Sequence, residues 1–263
     1  MMKKQVRGRN NKIVSLKDNI EYEIWEVPPH FHITGNNNTI IIHCDGVMKP
    51  SRTFPHGLSL HIVGDNNTLE IHLPIQDFAA NAVHMVEGNN RLVLGSSSYG
   101  FCGVNFGLQH GGHIEIGRDA SIRGYDTRFY ACGSLDEPKK IILGNGVRIA
   151  HSSVIRNMYG ETILDTDTGK PTSEPKDIVI EDHVWIMTRC MVFAGCHLPE
   201  GSALAACSFA NKAYTEKNTL LAGCPAKVIR RNIRWTVGTY HDNMAKWLSA
   251  SERNEIEQNE SVI

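Results

Sequence analysis

The chain has no excess of charge of either sign: 27 lysines and arginines stand against 28 aspartates and glutamates, a formal net charge of -1. Bulk electrostatics therefore favours neither nucleic acid nor an anionic membrane surface as a partner. Long apolar runs are missing as well. The longest, such as Ile40 to Ile42 and Met191 to Ala194, fall far short of the ~20 residues that a helix needs to cross a bilayer, so no membrane insertion is expected. The opening residues Met1-Met2-Lys3-Lys4-Gln5-Val6-Arg7 lead into polar sequence and not into an apolar stretch, so no signal peptide is expected. The seven cysteines, an odd number, include no CxxC pair of the metal-binding kind. Reduced thiols and a cytoplasmic location follow as the expectation. At 263 residues the chain is long enough to bury a full core, as one elongated domain or one domain plus extensions.

A repeat decides the fold class. Aliphatic residues recur every six positions at Ile180, Ile186, Val192, Leu198, Leu204 and Ala210, and compact residues follow four places later at Val184, Cys190, Cys196, Ser202 and Ser208. In an α-helix, with its 3.6 residues per turn, residues six apart lie on opposite sides. A period of six suits a short strand plus a corner, with the aliphatic residue pointing into a prism-shaped core and three hexads closing one triangular coil. The same phase occurs earlier at Leu143, Ile149 and Ile155, and at Ile116 and Ile122. Cys190 and Cys196 fall on the inward column of small residues and are expected to be buried, inert thiols. Cys207 lies off that column.

The N-terminal half repeats differently. Gly35-Asn36-Asn37-Asn38-Thr39-Ile40, Gly64-Asp65-Asn66-Asn67-Thr68-Leu69 and Gly88-Asn89-Asn90-Arg91-Leu92 are variants of one turn-plus-strand unit. Gly and Asn tolerate positive φ and suit tight corners. The spacings between these units, 29 and 24 residues, do not fit constant coils, so residues 30–125 are expected to form irregular, looped-out coils of the same solenoid. His43 and His72, which follow the first two strands, are read as surface positions at corners. His110 and His113 stand three apart without a third ligand nearby, and no metal is expected.

Two segments break the pattern. Asn157 to Asp177, with Gly160, Gly169, Pro171 and Pro175, is expected to be a loop projecting from the solenoid, the kind of segment that often carries function. Beyond Ile229 the hexads stop, and His241 to Gln258 carries Met244, Trp247 and Leu248 on one side of a possible helix that would cap the open end. The expected organisation is an N-terminal segment (1–29), irregular coils (30–125), a hexapeptide-repeat region (126–235) with the loop 157–177, and a C-terminal helical cap or tail (236–263).

Two blocks carry a resemblance. Asp177-Ile178-Val179-Ile180-Glu181-Asp182-His183-Val184-Trp185-Ile186 and Leu221-Ala222-Gly223-Cys224-Pro225-Ala226-Lys227-Val228-Ile229-Arg230 resemble the hexapeptide-repeat acyltransferases, especially those that O-acetylate sugars in capsular and other surface polysaccharides. The resemblance extends over Leu143 to Trp235. It implies an all-β fold, a left-handed parallel β-helix with the projecting loop and a short C-terminal helix. It also implies a homotrimer with active sites between neighbouring subunits, acetyl-CoA as acyl donor, and a saccharide acceptor.

Acyl transfer to a hydroxyl needs a base for the alcohol proton and donors for the oxyanion. Members of this family supply the base from a His in the loop, within a stretch resembling Arg156-Asn157-Met158-Tyr159-Gly160-Glu161-Thr162-Ile163-Leu164-Asp165; aligned on Arg156, Gly160 and Asp165, that His falls at Glu161. A Glu titrates near about 4.3 and is a poor base unless burial raises its pKa. His151 and His183 are the nearby imidazoles that offer a substitute, His151 being preferred. The donor site implied by the resemblance takes in Trp185 along the thiol arm, Met187 and Ala205 where Gly is usual, and Lys212, Lys227, Arg230 and Arg231 as partners for CoA phosphates. Met187 is expected to narrow the channel. The departures at Glu161 and Met187 leave two rival readings beside a sugar O-acetyltransferase: a catalytically inactive trimeric scaffold, and an amino-sugar N-acetyltransferase.

Overall fold

A computed structural model describes residues 5–238, apart from 25, 48, 50–53, 135 and 136. The chain divides into two units, Met1–Ile233 and Arg234–Ile263. Of the second, only residues 234–238 are described and they hold no regular element; the expected helix at 241–258 lies outside the described residues. No described helix is long and apolar enough to cross a membrane.

Every regular element of the described first unit is a β-strand, gathered into a 15-stranded and a nine-stranded sheet. The chain visits three faces in turn. In one coil, Arg148–Ile149 lies on face one, Val154–Arg156 on face two and Ile178–Ile180 on face three. Strand Ser121–Cys132 runs around the corner between faces one and two, pairing its start with Arg148–Ile149 and its end with Val154–Arg156. Coil-to-coil pairing is parallel throughout. Among the described strands, antiparallel pairing occurs at the two ends, Lys12–Lys17 with Ile20–Glu23 and Leu220–Gly223 with Ala226–Arg230. Each folds the chain back over an outermost rung, where a bare strand would offer unpaired backbone groups to another chain.

The six-residue column is wholly interior. Ile180, Ile186, Val192, Leu198, Leu204 and Ala210 are all fully buried, as are the compact residues between them. Ile180 registers with Leu198, Ile186 with Leu204, and Val192 with Ala210. Positions 18 residues apart thus stack, so three hexads make one coil and successive hexads feed successive faces. Burying each aliphatic side chain contributes about 1.5–3 kcal/mol of transfer free energy.

The N-terminal strands stack in register although their spacings differ. Ile40 stacks on Leu69 and Leu69 on Leu92 without a register shift. The reason is the corner between faces two and three. There Asn11, Asn38, Asn67 and Asn90 form an amide ladder, each Nδ2 donating to the Oδ1 before it at 3.1, 3.0 and 2.8 Å. The same oxygens also accept backbone N–H groups of the next rung, as Asn38 Oδ1 does from Asn67 at 2.9 Å. Asn38 and Asn67 are fully buried, and pairing both side-chain groups removes the cost of burying them. Beside them Asn37, Asn66 and Asn89 adopt φ near 60°, which Asn tolerates. Differences in coil length are therefore absorbed at the other corners. Strands Val6–Arg7 and Lys12–Lys17 already belong to these ladders, paired in parallel with Phe31–Thr34 and Thr39–His43.

Candidate acyl-transfer site

Three sequence-predicted donor residues sit in one stack of rungs. Trp185 lies on face one, its neighbour Ile186 turned inward, and Met187 and Ala205 follow at the corner between faces one and two. The backbone N–H of Ala150 donates to Ile186 O, that of Met187 to Leu204 O and that of Ala205 to Leu221 O at 2.9, 3.0 and 2.8 Å, so positions 150, 187 and 205 superpose. Lys227 and Arg230 belong to the end strand Ala226–Arg230, paired through Leu220–Gly223 to Ala203–Leu204 on the same face. With rungs about 4.8 Å apart, that strand lies about 14 Å along the axis from Trp185. Both cations are exposed.

Lys212 is elsewhere. Its carbonyl accepts from His197 N–H, which starts a strand of face three, and its Nζ stands 5.4 Å from the Tyr214 ring centroid. Arg231 is engaged by Glu216 through Nε and Nη2 at 2.6 and 3.0 Å. Within one chain Lys227 and Arg230 therefore lie on one strand, and Lys212 lies apart from them because the chain turns a corner between residue 212 and the end hairpin. Met187 does not stand out into a channel: its side chain is partly buried and packs against the core.

The three candidate bases do not converge within one chain. His151 occupies the corner between faces one and two, one position after Ala150 in the Met187–Ala205 stack. His183 occupies the corner between faces three and one, with φ 53° and its N–H on Asn145 O at 2.8 Å. Glu161 lies beyond the end of face two, in the long connection to face three. All three are exposed. That connection carries a small hairpin: Leu164 bridges Pro171, Asp165 N–H donates to Lys170 O at 2.8 Å, and Thr172 N–H donates to Ile163 O at 2.8 Å. Its Ile163 and Leu164 side chains are exposed.

The cysteines offer no nucleophile in the core. Burial raises the Cys190 thiol pKa and pushes that of Cys196 up to about 12, leaving both protonated at neutral pH. Cys207 is exposed.

A groove of about 310 Å³ that sequence reasoning missed runs along face two, lined by His84, Gly107, Gln109, Tyr130, Arg156 and Met158 among others. Its residues His84, Gly107, Tyr130 and Arg156 belong to one register column that continues beyond the groove on both sides. His32 pairs with His61, His61 with His84, His84 with Gly107, Gly107 with Tyr130, Tyr130 with Arg156, and Arg156 with Phe193. The three imidazoles meet edge to face at 6.4 and 6.0 Å. Gly107, lacking a side chain, opens the gap between His84 and Tyr130. The Arg156 guanidinium stands 5.6 Å from the Tyr130 ring centroid and its Nε donates to Met158 O at 2.7 Å. The signal was present in the sequence, since His32 and His61 each stand three residues before the glycine of an Asn-rich unit. Arg148 was missed too; it registers with Trp185 on face one, its guanidinium 3.7 Å from the Tyr99 ring centroid.

A three-faced parallel solenoid of hexapeptide rungs, with aromatic and cationic residues on one face of its last coils, has the form of the hexapeptide-repeat acyltransferases. Comparison with known proteins agrees. The chain is 24% identical over 111 residues to a polysialic acid O-acetyltransferase of Neisseria meningitidis, a match covering 42% of this chain and 52% of the relative. It is 26% identical over 126 residues to a polysialic acid O-acetyltransferase of Escherichia coli O1:K1 / APEC, covering 48% of this chain and 38% of the relative. The matches thus span about half or less of the length of these curated relatives. Among solved structures, the polysialic acid O-acetyltransferase OatWY superposes over 94% of this chain and 97% of its own, with a TM-score of 0.60 at 20% identity. The polySia-specific acetyltransferase NeuO superposes over 95% and 88%, with a TM-score of 0.64 at 20% identity. At that identity the superpositions show a shared fold. No protein-family model matches the chain.

Proposed function

We propose that the chain transfers the acetyl group of acetyl-CoA to a hydroxyl of a surface polysaccharide or its precursor. The observation that carries this reading is the layout of the two faces: the Trp185–Lys227 face runs along the last coils, and the face-two groove lies around the corner on the coils before them. His151 occupies the corner between. Its position favours it over His183 and Glu161 as the base, and an imidazole suits proton transfer near neutral pH better than a carboxylate does. The acceptor hydroxyl gives its proton to His151 as its oxygen attacks the thioester carbonyl. The carbon–sulfur bond then breaks, and the CoA thiolate leaves and takes up the proton. Trp185 lies along the thiol arm, and Lys227 and Arg230 face the phosphates. Met187, folded against the core, does not obstruct that path.

The solenoid winds in the left-handed sense, and three copies associate about a cyclic axis. The exposed Ile163 and Leu164 of the 157–177 loop then project across the cleft to a neighbouring subunit. Glu161 orients the base or the acceptor from that loop. Analytical ultracentrifugation checks the assembly: a trimer at micromolar concentration is expected, and a monomer contradicts it.

Ala substitutions at His151, Glu161 and His183 test the chemistry in an acetyl-transfer assay with polysaccharide acceptors. Loss of the base lowers the rate by about 10²–10⁴, and the loss is expected at His151. Full activity in the His151→Ala variant overturns the assignment. If the unmodified protein neither binds acetyl-CoA nor acetylates any saccharide, the inactive scaffold replaces the enzyme.

A further inference from the structure

The sequence reading left His43 and His72 as surface corner residues, but both are half-buried on the outer side of face three, far from the C-terminal rungs. They occupy the same register position on adjacent parallel strands, Thr39–His43 and Thr68–His72. Their rings stack at 4.0 Å with an interplanar angle of 3°. Glu70 stands two residues before His72, on the same side of its strand. The nitrogen and oxygen atoms that His43, Glu70 and His72 offer all lie within 4.8 Å of one another.

We propose that His43, Glu70 and His72 form a binding site for a zinc ion, joining two neighbouring N-terminal coils. The His43 Nε2 atom is buried and makes no hydrogen bond, although Glu70 Oε2 is only 3.4 Å away. A buried ring nitrogen without a hydrogen bond is costly to keep. The spacing has a ready meaning: two ligands on one tetrahedral zinc, with bonds of about 2.0–2.1 Å, stand about 3.3 Å apart. The other Glu70 oxygen accepts from Arg91 Nη2 at 3.0 Å, which fixes the carboxylate and leaves Oε2 turned to His43. Supporting groups of this kind orient metal ligands.

The donor set selects the ion. Two imidazoles and one carboxylate suit zinc and its transition-metal neighbours, whereas calcium and magnesium take mostly oxygen. The parallel stack is the ion-free arrangement, because in-plane lone pairs of two parallel rings do not meet at one point. Side-chain rotation tilts the rings out of the stack to reach a common ion, and water completes the coordination shell. Exposed histidines at His32, His61 and His84 sit 6 Å or more apart by ring centroid and carry no carboxylate in that column, so they serve as the internal control.

The test uses the full chain, stripped with a chelator and titrated with zinc against a chromophoric competitor. One site per chain is expected. Affinity falls at least about tenfold in His72→Ala and in Glu70→Gln, and stays unchanged in His61→Ala. Zinc also raises the melting temperature of the unmodified protein and not that of the two ligand variants. Should His72→Ala fail to fold, His43→Gln, which retains a polar side chain of similar reach, supplies the same comparison. Absence of a site in the unmodified protein overturns the proposal. So does retained affinity in the ligand variants, or a loss in His61→Ala equal to theirs. None of these readouts depends on acetyl transfer.

Discussion

The two ends of the solenoid build the same prism by different means. In the C-terminal coils a rung is 18 residues long, and its corners are closed by compact side chains such as Cys190, Cys196 and Ser202 under a backbone of tight turns. In the N-terminal coils stacked positions such as Ile40 and Leu69 are 29 residues apart, and register is held by the ladder of buried amides from Asn11 to Asn90. An amide that both donates and accepts along the axis locks each rung to the next whatever the length of chain elsewhere in the coil. Hexads fix register by their length; the asparagines fix it by hydrogen bonds. The longer coils carry the histidine column and the groove, and the short ones carry the proposed donor face.

The comparison predicts its own strongest disruption. In Asn67→Ala, Asn90 loses the acceptor of its backbone N–H and one of the two acceptors of its Nδ2, and Asn38 Oδ1 loses the Asn67 Nδ2 donor but keeps the backbone N–H of residue 67. With the buried Asn90 N–H left unpaired at about 1–3 kcal/mol and two further amide hydrogen bonds lost at about 0.5–1.5 kcal/mol each, the loss of stability is expected at about 2–6 kcal/mol. In the other region, Ile180→Ala is expected to cost about 2–5 kcal/mol through the lost burial and the cavity it leaves. Denaturant unfolding measures both. A cost below about 1 kcal/mol for Asn67→Ala would mean that the ladder decorates a register set by other contacts.

A substitution in the groove sharpens the functional side of the comparison. Gly107→Leu places a side chain between His84 and Tyr130, where a Cβ already comes within 2.9 Å of Tyr130 Cδ1, and the ring must shift to admit it. Acceptor KM is expected to rise about tenfold or more, with acetyl-CoA affinity unchanged. A rise in both would place the acceptor and the donor on the same surface.

The smallest effect concerns pH. Glu181 accepts the backbone N–H of Glu200 and a contact from His197 Nε2, both at 2.8 Å, and the Glu200 bond first, then His197, hold its carboxyl below the usual carboxylate range. A carboxylate with a depressed folded-state pKa contributes stability above its unfolded pKa, about 4.3, and loses it as pH falls through the folded value. Glu181→Gln is therefore expected to be less stable than the unmodified protein by about 1 kcal/mol or less at pH 7, since the group is partly exposed. The gap closes below about pH 4. A gap that widens on acidification contradicts this account.

How much was legible in the sequence follows the same division. The hexads were readable because each inward residue is aliphatic and the period is fixed, so Ile180 to Ala210 could be placed before any coordinates. The Asn-rich units were readable as corners, but their in-register stacking was not, because unequal spacings conceal a register that hydrogen bonds set. The proposed donor face was half legible. Trp185, Ala205 and Lys227 share one stack of rungs, while Lys212 lies at another corner of the same chain, which a count along the sequence does not reveal. That Met187 packs partly against the core was not legible, because sequence does not tell which way a corner side chain folds. The groove was missed because its members come from four strands and the loop after them, and Gly107 contributes by having no side chain.

The central claim is that the last coils hold acetyl-CoA along the Trp185–Lys227 face, and calorimetric titration of the full chain tests it most directly. The unmodified protein is expected to bind acetyl-CoA. Lys227→Glu should weaken it by about tenfold or more, as reversal of a phosphate-facing charge does, while Lys212→Glu, on another corner, leaves it nearly unchanged. Equal weakening by both variants, or no binding by the unmodified protein, contradicts the account.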